Sequence, residues 1–174
     1  RRDALKEALR RYGMGAGSVA DIFKAVAHFV IPTPLQRANG KEVGYAYFQD
    51  FIPDNTFDIR IIVIGDKAYG IRRKVRTGDF RASGSGMFLY DRKYIDERCV
   101  KVAFEVSEKL QSQCTGFDFV FDKSGTPLIV EIGYGFVQQA YESCPGFWDR
   151  NMCWYEGKFN PMGWIVENLK NSDK

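Results

Sequence analysis

Asp118 and Glu131 are the residues whose types and spacing most suggest chemistry, because a tight hairpin brings them side by side. Residues 115–133 read TGFDFVFDKSGTPLIVEIG, two apolar runs rich in Phe, Val and Ile around Ser124-Gly125. A two-residue loop there sets Asp122 opposite Pro127, Val120 opposite Ile129 and Asp118 opposite Glu131. Opposed residues share a sheet face, with Cβ atoms about 4.5–5.5 Å apart. Two carboxylates so placed repel unless one is protonated or a cation sits between them, which points to a hard divalent metal. The alternative is a slipped turn or a solvent-facing edge with both acids hydrated, where the repulsion in water is only about 1 kcal/mol.

A second charged group comes from the segments DIRIIVIG and KAYGIRRKVR, which read as a hairpin around Gly65-Asp66. That register places Asp58 opposite Arg73 and Arg60 opposite Ile71, gathering Asp58, Arg60 and Arg73 at one end of one face. A cross-strand ion pair and a polyanion site both fit. Residues 78–86, GDFRASGSG, offer backbone N–H groups, hydroxyls and one guanidinium suited to phosphate; a plain connection has the same composition.

Composition narrows the chemistry. His28 is the sole histidine of the 174 residues, so a Ser/His/Asp triad, a Cys/His dyad or a His-based metal site would all have to use it. It lies in the apolar helical stretch DIFKAVAHFV, where a core or surface role is the expectation. Carboxylates, Lys and Arg remain, which favours metal-assisted phosphoryl or acyl transfer. Lys+Arg of 25 against Asp+Glu of 22 leaves +3, too little to argue for nucleic acid. No apolar run approaches the roughly 20 residues of a membrane span. The four cysteines form no CxxC pair and read as reduced thiols of a cytoplasmic protein.

These residues need elements to position them. The spacing predicts a helix over 3–12, a glycine-broken linker GMGAGS, and a helix from Ser18 to about Phe29 with Ser18 and Asp21 as its capping box. GMGAGS has no strand before it and no Gly-Lys-Ser/Thr after it, so a helix-to-helix linker is a better reading than a phosphate loop. YAYFQDF (45–51) reads as a strand. Residues 91–112 read as the clearest helix, with Ile95, Cys99, Val102, Val106 and Leu110 on one stripe. After Gly133 the chain turns irregular and aromatic until Asn160 caps a last helix that starts at Pro161 and runs to about Lys170. The order is α+β: an antiparallel sheet flanked by helices. Residues 1–44 read as a helical linker segment, 45–136 as the main lobe, and 137–174 as an aromatic tail packed on it.

FQDFIPDNTFDIRIIVIGD, then GDFRASGSG, then TGFDFVFDKSGTPLIVEI together resemble the C-terminal half of ATP-grasp ligases. They look especially like the branch of the bacterial ribosomal-protein glutamate ligase and its uncharacterised ATP-grasp relatives. The resemblance implies the C-terminal lobe of an ATP-grasp fold and ATP-dependent carboxylate–amine ligation through an acyl phosphate. ATP and Mg²⁺ or Mn²⁺ would be the cofactors, with small-molecule or peptide acids and amines as substrates. It implies adenine contacts at Asp50 and Phe51 with Gln49 and Ile52 beside them, Asp58 near the ribose, and Arg81 and Ser83 near phosphate. Arg60, Arg73 and Arg81 would stabilise transferred phosphate, and Asp118 and Glu131 would match the two metal carboxylates.

Two departures stand out. The family's Glu-x-Asn reads Glu131-Ile132-Gly133, so one metal ligand has no side chain. The family's N-terminal domain and nucleotide-lobe lysine should also precede this segment, and the chain reads as the C-terminal part of a longer ligase. A non-catalytic nucleotide-binding remnant and an ATP-grasp kinase are the alternative readings.

Overall fold

The computed structural model describes residues 2–15, 17–27, 31, 48–76, 82 and 84–172. The chain divides into two compact units, Arg1–Gln49 and Asp50–Lys174. In the first, α1 (Arg2–Gly13) and α2 (Val19–Ala27) are joined by the glycine-rich turn. Its capping box forms as expected: Ser18 N–H donates to the Asp21 carboxylate at 2.9 Å, and Asp21 N–H to the Ser18 hydroxyl at 3.3 Å. His28 lies outside the described residues.

The second unit is an antiparallel sheet with helices, the α+β class expected. Its strands are β1 (Phe57–Ile64), β2 (Lys67–Lys74), β3 (Phe88–Leu89), β4 (Cys114–Phe121), β5 (Pro127–Gly133), β6 (Gly146–Asp149) and β7 (Trp154–Glu156). They run β5-β4-β1-β2-β6-β7, with β3 beside β6 on the same edge of β2. α3 (Glu97–Lys109) and α4 (Pro161–Ser172) complete the unit.

Alternation along the strands splits the core in two. Ile59, Ile61, Val63, Phe117 and Phe119 pack beneath α3 with Cys99, Val100, Ala103, Phe104 and Trp148. Ile62, Ile64, Tyr69 and Ile71 face the other way and are covered by Tyr141, Cys144, Phe159 and Trp164 of the C-terminal segment.

Several expectations change. α3 starts at Glu97, because Asp91 caps a separate 3-10 turn at Arg92–Tyr94 and Asp96 then caps the helix by accepting Arg98 N–H. Its buried face is Cys99, Val100, Ala103, Phe104 and Ser107, while Leu110 of the expected stripe stays exposed. Ala103 and Ser107 are small enough to let the helix sit close to the sheet, so the face turns about one residue from the apolar stripe. Residues 48–51 run as irregular chain, and the aromatic rings that suggested a strand, Phe48 and Phe51, remain in solvent. Residues 45–47 of that expected strand are outside the described part. The tail read as irregular contains the β6–β7 hairpin, which extends the sheet through Ala68 and Trp148.

Candidate functional site

The charged residues singled out in the sequence gather on one face of four adjacent strands. β1 and β2 pair in the expected register, Asp58 opposite Arg73 and Arg60 opposite Ile71. β4 pairs with the other edge of β1, setting Asp118 opposite Arg60. Glu131 on β5 stands opposite Asp118. The pairing of those two acids is as expected, but the turn that delivers it is not. The loop has three residues, Lys123-Ser124-Gly125, so Phe119 faces Ile129 and Val120 faces Leu128. A bulge between Asp118 and Phe119, where β5 gains Val130, then restores the register. The Asp122 carboxylate shapes the turn by accepting the N–H groups of Ser124 and Thr126, each at 2.8 Å. Gly125 supplies the φ of +75° that this turn requires.

The side chains form a line of alternating charge. Arg73 donates through Nε and Nη2 to both oxygens of Asp58, at 2.7 and 2.5 Å, and through Nη2 to Asp118 Oδ2 at 2.7 Å. Arg60 makes its own two-point contact with Asp118, Nε to Oδ1 and Nη2 to Oδ2 at 2.5 Å. Arg60 Nη2 also reaches to 3.9 Å from Glu131 Oε1. The cation that lies beside both opposed carboxylates is thus the Arg60 guanidinium, bonded to Asp118 and 3.9 Å from the solvent-exposed Glu131.

Burial grades along the line. Arg73 and Asp118 are each 4% exposed, whereas the Glu131 side chain is 68% exposed, so the line opens to solvent at the Glu131 end. Burial pushes the Asp58 carboxyl above its ordinary range, with Arg73 pulling the other way. Burial also disfavours the charge on Arg60, but the bonds to Asp118 outweigh it and hold the guanidinium protonated. Tyr141, buried between the line and the aromatic cluster, is pushed up to about 12 by burial against the pull of Arg60. Nothing in the sequence pattern marked Tyr141: it lies in the irregular aromatic stretch and reaches the site through the packing of Phe136 and Tyr69 on its ring.

Asn55 is a second residue that sequence reasoning passed over. Its amide bonds the carbonyls of Ile52 at 3.4 Å, Pro53 at 3.2 Å and Phe121 at 3.0 Å, and its oxygen accepts Phe121 N–H at 2.8 Å. It therefore ties the 50–53 segment, where Asp50, Phe51 and Ile52 lie, to the end of β4. Gln49 closes the first unit. Arg81 and Ser83 lie outside the described residues; of the Gly-rich loop, Ala82 is buried.

A divalent cation suits the donor type of Asp118 and Glu131, two hard carboxylates opposed on one face. Nothing lies within 4 Å of a Cβ built on Gly133, so the place of a third ligand is open to water. Among the described residues no cluster of three or more His, Cys, Asp or Glu side chains is set to hold a metal. A cation here would draw on two carboxylates and water. All four cysteines are free, and no helix among the described residues is long and apolar enough to cross a membrane.

Residues 39–140, more than half of the chain, match the family described as RimK-like ATP-grasp domain. No curated protein matches the chain in sequence. One solved structure that it matches is the macrocyclase MdnB from Microcystis aeruginosa MRC, at 16% identity and a TM-score of 0.38. That match covers 52% of this chain and 31% of the macrocyclase chain.

Proposed function

The chain belongs to the RimK-like ATP-grasp domain family, whose members are typically ATP-dependent ligases, and from that premise we propose that it serves carboxylate–amine ligation through an acyl phosphate. The observation that best supports this reading is the line Asp58–Arg73–Asp118–Arg60–Glu131 across four strands, which runs from a buried end to an open one.

In the proposed reaction an acid substrate's carboxylate oxygen attacks the γ-phosphorus of ATP, and ADP leaves. An amine then attacks the acyl carbon, inorganic phosphate leaves, and the nitrogen gives up a proton. Both steps gather negative charge on phosphoryl oxygens and need charge stabilisation more than a general base. Asp118 and Glu131 would hold a divalent cation, which when bound supplies a Lewis acid that neutralises phosphate charge. Arg60, at the partly open end, is the guanidinium assigned to phosphate; Arg81 is assigned the acyl phosphate. Arg73 acts as a positioning residue, since its Nε and Nη2 donors are spent on Asp58 and Asp118 and its side chain is buried. Asp58 lies next along the line, on the side assigned to the ribose. Asp50 and Phe51, with Gln49 and Ile52, are assigned the adenine, and Ser83 the phosphate.

The test is ATP titration by calorimetry with and without Mg²⁺, on the wild type and on Glu131→Gln. The expected result is Mg²⁺-dependent binding that weakens at least tenfold in the variant, and ADP release only when an acid and an amine are both present. Binding with no release under any pairing would favour the nucleotide-binding remnant. Release with a single acceptor and no amide would favour a kinase.

A further inference from the structure

The Arg60 guanidinium occupies the space between Asp118 and Glu131, two-pronged on the first and 3.9 Å from the second. A divalent cation shared by those carboxylates would need the same space. We infer that Arg60 is the resident counter-ion of the pair, and that a divalent cation enters only in exchange for it, which couples metal loading to release of a guanidinium toward the phosphate side. This rests on the reading of Asp118 and Glu131 as the metal carboxylates.

Three observations carry the inference. First, Asp118 accepts three N–H groups, two from Arg60 and one from Arg73, out of roughly four lone-pair positions on a carboxylate. A cation cannot bind it well until at least one donor leaves. Second, the two arginines differ in freedom. Arg73 is held by Asp58 as well and is buried, while the Arg60 side chain is 21% exposed. Arg60 is the donor able to go. Third, Arg60 need not leave Asp118 for bare solvent: it already shares a hydrogen bond with the Tyr141 hydroxyl, a partner it can keep, and the Glu131 end beside it is open to solvent.

The exchange has an energetic logic. With Arg60 in place, the opposed carboxylates are compensated and the sheet tolerates them without a metal. A free cation must displace a two-point, charge-assisted contact, so it binds weakly alone. When a polyphosphate arrives with the cation, the released guanidinium gains a new anionic partner, and the exchange becomes favourable. Metal and nucleotide would then load together, each raising the affinity for the other.

Mn²⁺ alone, without nucleotide, gives a readout independent of turnover: free Mn²⁺ is counted by its electron paramagnetic resonance signal. The wild type should bind Mn²⁺ only weakly. Arg60→Met, which keeps most of the side-chain length without the charge, should bind it at least tenfold more tightly. Asp118 keeps Arg73 at 2.7 Å in that variant, so its carboxylate is not orphaned. Arg60→Lys, which keeps charge but cannot make the two-point contact, should fall between. Adding Glu131→Gln to Arg60→Met should remove the gain, tying it to this pair.

Equal Mn²⁺ affinity in the wild type and Arg60→Met, with matching melting temperatures, overturns the exchange while leaving the ligase reading intact. No Mn²⁺ binding in either, with Mg²⁺-dependent ATP binding retained, also overturns it and shows that the cation uses other groups. Loss of ATP binding in the wild type fails the functional reading instead. If Arg60→Met melts early, Arg60→Lys carries the comparison.

Discussion

The two faces of the central sheet are built from the same strands and differ in what they spend their side chains on. Along β1, Phe57, Ile59, Ile61 and Val63 point to α3 and pack in a mainly apolar core, with the Arg72 guanidinium lying over the Phe57 ring at its edge. The alternate residues, Asp58, Arg60, Ile62 and Ile64, begin charged and end apolar within one strand. The α3 face is a packed core from end to end. The other face is a core at its Ile62–Ile64 end, under Tyr69, Tyr141 and Trp164, and a charged line at its Asp58–Arg60 end. A period of two lets one strand serve both purposes, because a residue on one face can change without moving its neighbour on the other. Stability can therefore reside mainly on the α3 side while the opposite face carries charge, and each half of that contrast can be tested.

The largest effect is expected on the dry face. Phe117 is fully buried among Ile59, Ile61 and Phe104, and Phe117→Ala should cost about 3–5 kcal/mol of unfolding free energy in urea. A loss below about 2 kcal/mol would mean that the α3 face is less tightly packed than it looks.

On the charged face, what matters is pairing. Arg73→Met strands the buried Asp58 carboxylate and should cost about 3–5 kcal/mol, near the value for Phe117→Ala. Combining it with Asp58→Leu should recover much of that loss, since an apolar pair of similar volume can replace a buried ion pair. Glu131→Gln, at the open end, should stay within about 0.5 kcal/mol of the wild type. If the double variant remained as unstable as Arg73→Met, the line would be contributing more than mutual compensation of charge.

A smaller effect compares the dryness of the two faces directly. Cys99 lies under α3 and Cys144 in the other core, where its thiol reaches the Gly70 carbonyl at 3.6 Å. Burial pushes each thiol up to about 12 from an ordinary 9.0. The folded chain then keeps protons that the unfolded chain loses, so their contribution is intact below about pH 9 and is lost as pH rises toward 12. At pH 10 each thiol should cost about 1.4 kcal/mol relative to pH 8. Cys99→Ala and Cys144→Ala should each flatten the alkaline fall in urea stability by that amount. A much smaller change for Cys144→Ala would mean that water reaches the second face beyond its charged end.

Legibility in the sequence followed the range of the interactions. The β1–β2 register was readable because a two-residue turn at Gly65-Asp66 forces it, and with it the Asp58–Arg73 pair. The Asp118–Glu131 pairing was reached through two local features that offset each other, a three-residue turn and a bulge, neither of which the apolar pattern reveals. The Arg60–Asp118 contact spans 58 residues of sequence and depends on which strand takes the free edge of β1. The start of α3 was blurred because Asp91 and Asp96 both offer N-cap oxygens, and only the fold assigns one to the 3-10 turn and the other to the helix.

By itself the sequence determined the local elements: the hairpin partners, the capping residues at Ser18 and Asn160, and the alternation that sets charged and apolar residues on separate faces. These follow from backbone geometry and near-neighbour hydrogen bonds, which act over a few residues. The tertiary structure alone decided that β4 lies beside β1, that Tyr141 returns to the site, and that the cation between Asp118 and Glu131 is Arg60. Those outcomes depend on burying two apolar surfaces at once, and the strand order that achieves it brings distant charges within bonding distance.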